Sequence, residues 1–191
     1  LSAVLLSSRL EEHKTAQGMD RNVRLLRTVA IAVTHLQRER GRSSVYLNNG
    51  TARSELDAQR AETDEAIKAA LATLQEVALR SDEGEQARSG IALVPQVRIA
   101  VDGRCPAVES FRHYTDLIAR LMDVEKVVVE SKTTKGIGKR FANVILLENA
   151  KEYAGQMRAT LAEILAAGKR IDEETVLKVA RLKTSVECNL T

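Results

Sequence analysis

The chain has 191 residues, a length that suits one domain, and its 44% hydrophobic and 29% charged content favours amphipathic helices. Aromatic residues make up only 3% and tryptophan is absent, which disfavours a strand-rich fold built on aromatic and β-branched residues. The net charge of +3 is small, and the basic residues are not interleaved with aromatic residues that could stack on bases, so the composition argues against a nucleic-acid-binding surface.

The first predicted element is a long helix from about residue 8 to residue 49, which ends at the turn signal Asn49-Gly50. Residues 1–6 are apolar, but a membrane span needs about 20 apolar residues and the chain contains no such run. This short stretch has two interpretations. It is either the end of a membrane-spanning helix that precedes the chain or a first helical turn packed on the bundle.

Five further helices are predicted in chain order from apolar residues at helical spacing. Their approximate bounds are 54–80, 85–101, 106–131, 139–167 and 172–191. Pro95 lies inside the third helix and predicts a kink or a late start there, and Asp172 is suited to cap the sixth. Because short turns join these helices, neighbours should be antiparallel. The sequence therefore predicts an all-α fold, an antiparallel up-down bundle of about six helices in a single domain over residues 1–191.

Arginines interrupt the apolar faces of three predicted helices. Arg40 takes a position on the inner face of the first helix, Arg98 on that of the third and Arg158 on that of the fifth. These helices run in the same direction in an up-down bundle, and a rise of about 1.5 Å per residue puts the three arginines about 15, 8 and 15 Å from the same end. Their guanidinium groups are therefore predicted to converge at one level of the bundle.

Converging arginines need an anion between them, because an inward guanidinium otherwise loses solvation at a cost of several kcal/mol. One interpretation supplies the anion from the protein itself. The carboxylates near enough in sequence or register are Glu39, Asp64, Asp102, Glu148 and Glu152. The other interpretation supplies a ligand, since the planar guanidinium fork pairs bidentately with a planar oxyanion. Gly41, next to Arg40, either lets a ligand or another helix approach closely or is a plain packing glycine.

No pattern in the sequence indicates catalysis. His13, His35 and His113 form no triad and have no metal-ligand spacing. Cys105 and Cys188 lie far apart and are interpreted as unpaired thiols, and no glycine-rich phosphate loop is present. We therefore predict a protein that is not an enzyme and that has neither a metal nor a cofactor.

Several short blocks of the chain follow the order of one known family. The blocks are LQRERG at 36–41 with Ser43, Tyr46 and Leu47, QRAETD at 59–64, LVPQVR at 93–98 followed by YTDLI at 114–118, and KEYA at 151–154 with RATL at 158–161. They resemble the nitrate- and nitrite-sensing (NIT) domain, and the resemblance covers about residues 28–170. That family is all-helical and binds nitrate or nitrite through arginines in such blocks. The resemblance therefore implies that Arg40, Arg98 and Arg158 bind the ligand, the same three residues that helical spacing selects.

The resemblance implies a sensory input domain that binds nitrate or nitrite between helices and passes a small helix shift to an output module. Domains of this family occur in chemoreceptors, sensor kinases, cyclases and cytoplasmic antiterminators, so the output module stays open. We expect part of a membrane-anchored receptor, with this domain on the periplasmic side of an inner membrane, a homodimeric assembly and no nucleic-acid partner; a cytoplasmic location is the alternative. The alternative function is a structural or protein-interaction bundle with internally paired arginines, or a sensor of another small anion.

Overall fold

The computed structural model describes the backbone of residues 2–76, 82–130, 137–167 and 171–190, and the side chains of residues 13–76, 82–124, 142–162, 164 and 171–190. Within these ranges every regular element is an α-helix, which confirms the all-α prediction. The helices are α1 (Ser2–Asn49), α2 (Arg53–Glu76), α3 (Asp82–Ala92), α4 (Val94–Asp102), α5 (Ala107–Glu130), α6 (Ile137–Ala167) and α7 (Glu173–Leu190).

The chain divides into two compact units, residues 1–138 and residues 139–191. In the first unit, α1 packs against α2 and α5, and α5 also packs against α3 and α4. Each helix turns an apolar stripe inward, because its hydrophobic residues recur at three- and four-residue spacing. The core includes Leu25, Val29, Leu36, Leu56, Ile67, Leu74, Ile91, Val101, Ile118 and Leu121. Truncating one of the fully buried leucines to alanine would cost about 2–5 kcal/mol of stability.

The third predicted helix is divided in two near Pro95. Leu93 lies in a turn between α3 and α4, and Pro95 occupies the first turn of α4. Pro95 has no N–H to bond to the carbonyl of Ile91, and its ring would clash with that carbonyl in a continuous helix. The chain bridges the break with hydrogen bonds from Leu93 N to Gly90 O at 2.9 Å and from Val97 N to Leu93 O at 3.1 Å. The third predicted helix is therefore interrupted near Pro95, as expected, and forms two helices.

The turn between α1 and α2 follows the predicted helix stop at Gly50. Gly50 has a φ of +70°, and its N–H donates to Tyr46 O at 3.0 Å, a closure that glycine adopts without steric cost. Ala52, with a φ of +64°, completes the turn. Arg104 in the α4–α5 connection packs over the Tyr46 ring, 3.9 Å from its centroid, and donates to Tyr46 O at 2.8 Å. The α1–α2 turn and the α4–α5 connection therefore both contact the C-terminal end of α1.

The second unit contains α7 and most of α6. Asp172 caps α7 as predicted, because Thr175 N–H donates to Asp172 Oδ1 at 2.7 Å. This bond holds the pKa of the Asp172 carboxyl below its ordinary value. On α6, Lys151 pairs with Glu148, one of the carboxylates that the sequence offered as an arginine partner.

Among the described helices, none is both long enough and apolar enough to cross a lipid bilayer. Helix α1 begins at Ser2 and continues to Asn49. The side chains of residues 1–6 lie outside the described residues, so neither interpretation of this segment is tested.

Candidate functional site

Arg40 lies on the inner face of α1, where its guanidinium group packs against α5. Only 4% of the residue is exposed. Nη1 donates a hydrogen bond to Thr115 Oγ1 at 2.9 Å, and the guanidinium carbon lies 4.6 Å from the centroid of the Phe111 ring. Thr115 Oγ1 in turn donates to Phe111 O at 2.8 Å, which orients the hydroxyl as an acceptor for Arg40. The cation–π contact contributes about 0.5–2 kcal/mol and helps to hold the charge of Arg40 inside the bundle.

Glu39, the residue before Arg40, is fully buried and reaches α4. There Arg98 holds its carboxylate with two parallel hydrogen bonds, from Nε to Oε1 at 2.8 Å and from Nη2 to Oε2 at 2.9 Å. Arg98 Nη1 also donates to Asp64 Oδ1 at 2.7 Å. Arg98 is thus paired with two of the carboxylates that the sequence offered, which is the arrangement expected for internal pairing.

Hydrogen bonds decide the protonation state of Glu39. Tyr114 Oη donates to Glu39 Oε1 at 2.7 Å, and Ser43 Oγ donates to Tyr114 Oη at 3.4 Å. Burial alone would raise the pKa of Glu39, but the hydrogen bonds and charge of Arg98, with further bonds from Tyr114 and Thr63, outweigh it and lower this pKa below its ordinary value. Burial raises the pKa of Tyr114, and the charge of Glu39 raises it further. The cluster therefore contains an ionised carboxylate and a neutral phenol.

Arg60 brings a further guanidinium group to this cluster from α2. Its Nη1 lies 3.0 Å from Asp102 Oδ1 and 3.1 Å from Asp102 Oδ2, and Arg53 Nη1 binds the same carboxylate at 2.9 Å from the exposed side. Arg60 is 9% exposed. Its Nε and Nη2 are buried and find no hydrogen-bond acceptor among the residues that the structure describes. Glu39 Oε1 lies 3.9 Å from Nε, which is too far for a hydrogen bond.

Arg60 was not among the predicted ligand residues, although its position on an apolar helix face could have identified it. It lies at helical spacing between Leu56 and Ile67 on the inner face of the second helix, inside the block at 59–64. Arg40 was selected on the first helix because it occupies such an apolar position. The same criterion applied to the second helix selects Arg60, which is also buried.

Arg158 lies on α6 in the unit of residues 139–191 and is exposed. Arg40 and Arg98 lie in the other unit, where Arg40 contacts α5 and Arg98 binds Glu39, the residue before Arg40. The convergence of the three guanidinium groups stays a prediction, as does ligand binding by any of the three residues.

Within the described ranges, no group of three or more histidine, cysteine, aspartate or glutamate side chains is placed to hold a metal ion. Cys105 is half-buried, Cys188 is exposed, and both are free thiols. Burial, together with the charge of Glu109, raises the pKa of the Cys105 thiol. Less of this thiol is then in the reactive thiolate form at neutral pH.

A family model described as nitrate and nitrite sensing (NIT) matches residues 32–191 of the chain. Among solved structures, that of the NasR transcription antiterminator is similar, with a TM-score of 0.81 and 24% sequence identity. The match covers 99% of this chain and 54% of the antiterminator chain, so the chain spans about half the length of the structure it resembles. No curated protein sequence matches the chain.

The similarity to a transcription antiterminator corrects the predicted partners. The predicted assembly, a membrane-anchored receptor without a nucleic-acid partner, is wrong, because the same fold occurs in a protein of transcription control. The prediction failed for a physical reason. The net charge and aromatic content of a sensing domain describe that domain alone, and they carry no information about the module to which its signal is passed.

Proposed function

Since the chain belongs to the nitrate- and nitrite-sensing (NIT) family, we propose that it is a sensory domain that binds nitrate or nitrite at buried guanidinium groups. The proposed ligand residues are Arg40, Arg98 and Arg158. Binding then moves helices against one another, and an output module responds to the movement.

The proposal is supported by the burial of Arg40 and by the binding of a planar oxyanion to another arginine inside the same unit. Arg40 is 4% exposed, and its neighbour Glu39 gives its carboxylate to Arg98 in a two-bond fork. A carboxylate and a nitrate ion both offer coplanar oxygens to such a fork. Nitrate carries a single, delocalised charge, so it costs less to desolvate than sulfate or phosphate. The interior of this bundle therefore suits a small planar monoanion.

The proposed movement follows from where Glu39 and Arg40 lie on α1. Glu39 is bonded to Arg98 on α4 and to Tyr114 on α5, and Arg40 is bonded to Thr115 on α5. An anion that draws one guanidinium group away from its present partner changes the contacts of α1 with both helices. Because packed interfaces have discrete arrangements, such a change is expressed as a helix shift of about 1–2 Å.

A structural bundle with internally paired arginines is the second candidate function. The ion pairs of Arg98 with Glu39 and Asp64, and of Arg60 with Asp102, favour it. In that function the arginines hold the helices in register and need no ligand. Such pairs persist because removing one partner leaves the other charge buried without compensation.

Calorimetric titration separates the two functions. Nitrate, nitrite, chloride and sulfate are titrated into the wild-type chain, into Arg40→Ala and into Arg38→Ala, whose arginine is exposed on the same helix. The sensor function predicts heat from nitrate or nitrite but not from chloride or sulfate, with loss of the heat in Arg40→Ala and its retention in Arg38→Ala.

Thermodynamic linkage gives the same experiment a second readout. A bound anion should raise the free energy of unfolding by about 2.7 kcal/mol at 100 times its Kd. Silence from all four anions in folded wild-type protein, with no change in unfolding, would reject the sensor function and support the structural bundle.

A further inference from the structure

We propose that Arg60 is a further anion ligand, whose Nε–H and Nη2–H bind one small planar oxyanion side-on inside the unit of residues 1–138. This inference rests on the proposed function, because the oxyanion it names is nitrate or nitrite. It adds an arginine to the three that sequence and family resemblance select.

Arg60 holds two buried donors for which the described residues supply no acceptor. Asp102 takes only Nη1, and Nε and Nη2 have no hydrogen-bond acceptor within the described part of the chain. The residue is 9% exposed, so bulk water does not solvate these donors freely. Native proteins pair the large majority of their buried N–H groups, because an unpaired one destabilises the folded state. Two such groups on a single cation mark a place where an acceptor from outside the protein binds.

The two donors define the shape of that acceptor. Nε and Nη2 form the side edge of a guanidinium group, and the same edge of Arg98 binds the Glu39 carboxylate at 2.8 and 2.9 Å. Two N–H bonds leave this edge in parallel, so the matching ligand presents two coplanar oxygens at the spacing found in a carboxylate. Nitrate and nitrite have this geometry. A water molecule has one oxygen and cannot accept from both donors in the parallel arrangement.

Neighbouring carboxylates limit the charge of the ligand. Glu39 Oε1 lies 3.9 Å from Arg60 Nε, and Asp102 is bound to Nη1. Repulsion from these carboxylates and attraction to Arg60 both double for a dianion such as sulfate, but the cost of removing an ion from water rises more steeply with its charge, so the buried edge favours a monoanion. The same repulsion couples the ligand to Glu39. Removing that charge with Glu39→Gln should therefore tighten nitrate binding several-fold.

The test compares Arg60→Lys with Arg38→Lys by calorimetric titration with sodium nitrate. Both variants keep the positive charge and lose the fork, but Arg38 is exposed on α1. We expect Arg60→Lys to weaken nitrate binding at least tenfold and Arg38→Lys to leave it unchanged. Glu39→Gln should move the affinity in the opposite direction to Arg60→Lys. Equal nitrate affinity in wild type and Arg60→Lys would overturn the inference while the proposed function stands.

A second measurement covers the case in which Arg60→Lys fails to fold. The side-chain Nε–H resonance of Arg60 is followed by nuclear magnetic resonance in wild-type protein during nitrate and chloride titrations. A nitrate-specific shift of this resonance is the expected result. Nitrate binding without such a shift would overturn the assignment of Arg60, whereas the absence of any nitrate binding to wild type would reject the proposed function itself.

Discussion

The carboxylate of Glu39 and the guanidinium of Arg98 form two parallel hydrogen bonds of 2.8 and 2.9 Å, although 59 positions separate them in the chain. The pair joins α1 to α4, and Tyr114 adds a bond from α5 to the same carboxylate. Because Glu39 is fully buried, its charge depends on these protein partners instead of water. The pair is therefore both a structural link between three helices and an example of planar oxyanion binding in the interior.

Acidification should weaken the fold through Glu39. Its pKa is lower in the folded protein than its ordinary value of 4.5, so the unfolded chain binds the proton more readily. The stabilisation of the folded state by ionised Glu39 is therefore complete above about pH 4.5, and it is lost as the pH falls through the folded-state pKa of Glu39. Thermal melts of wild type and Glu39→Gln between about pH 7 and pH 3 measure this, and wild type should lose Tm more steeply. Parallel Tm curves would contradict the role of Glu39.

Removing Arg98 alone should destabilise the protein more than removing the whole pair. Arg98→Leu leaves the buried Glu39 charge without its cation, and breaking a buried pair in this way costs about 3–5 kcal/mol. The double variant with Arg98→Leu and Glu39→Leu no longer contains the unpaired buried charge and should recover most of the lost free energy of unfolding. Urea unfolding of both single variants and the double variant measures the coupling. A double variant as unstable as Arg98→Leu would assign the effect to packing instead of charge.

Local signals in the sequence predicted the helices well because each depends on a few neighbouring residues. Pro95 lacks a backbone N–H, so the break beside it could be placed without knowledge of the fold. Gly50 and Asp172 mark a helix end and a helix start for similarly local reasons, and both act as expected.

The partners of the arginines could not be predicted in the same way, because they depend on the register between helices. Of the carboxylates that the sequence offered, Glu39 and Asp64 bind Arg98, whereas Asp102 binds Arg60 and Glu148 pairs within α6. A register different by one helical turn would exchange such partners without changing any helix boundary. The sequence therefore identified the charged groups of the cluster but not their pairing.

Substitution of Gly41 tests whether this glycine allows close approach of a ligand. It lies inside α1, and a Cβ added there meets no atom within 4 Å in the described structure. Alanine is better than glycine in a helix interior by about 0.5–1 kcal/mol, so Gly41→Ala should stabilise the protein by this amount in urea unfolding. Gly18→Ala, also in open space on α1, is the matched control. A loss of nitrate affinity in Gly41→Ala alone would indicate close approach of the ligand, and unchanged affinity would exclude it.

Arg158 provides a test in which stability and affinity should respond differently. Its side chain is exposed on α6, so Arg158→Ala should change the free energy of unfolding by no more than about 0.5 kcal/mol. The proposed function makes Arg158 a ligand residue, and a charge-assisted hydrogen bond contributes about 1.5–3 kcal/mol, so the same variant should lose at least about tenfold in nitrate affinity. Arg181→Ala removes another exposed arginine of the same unit and should leave the affinity unchanged in calorimetric titration. Equal affinities in these two variants would remove Arg158 from the site and confine the ligand to arginines of residues 1–138.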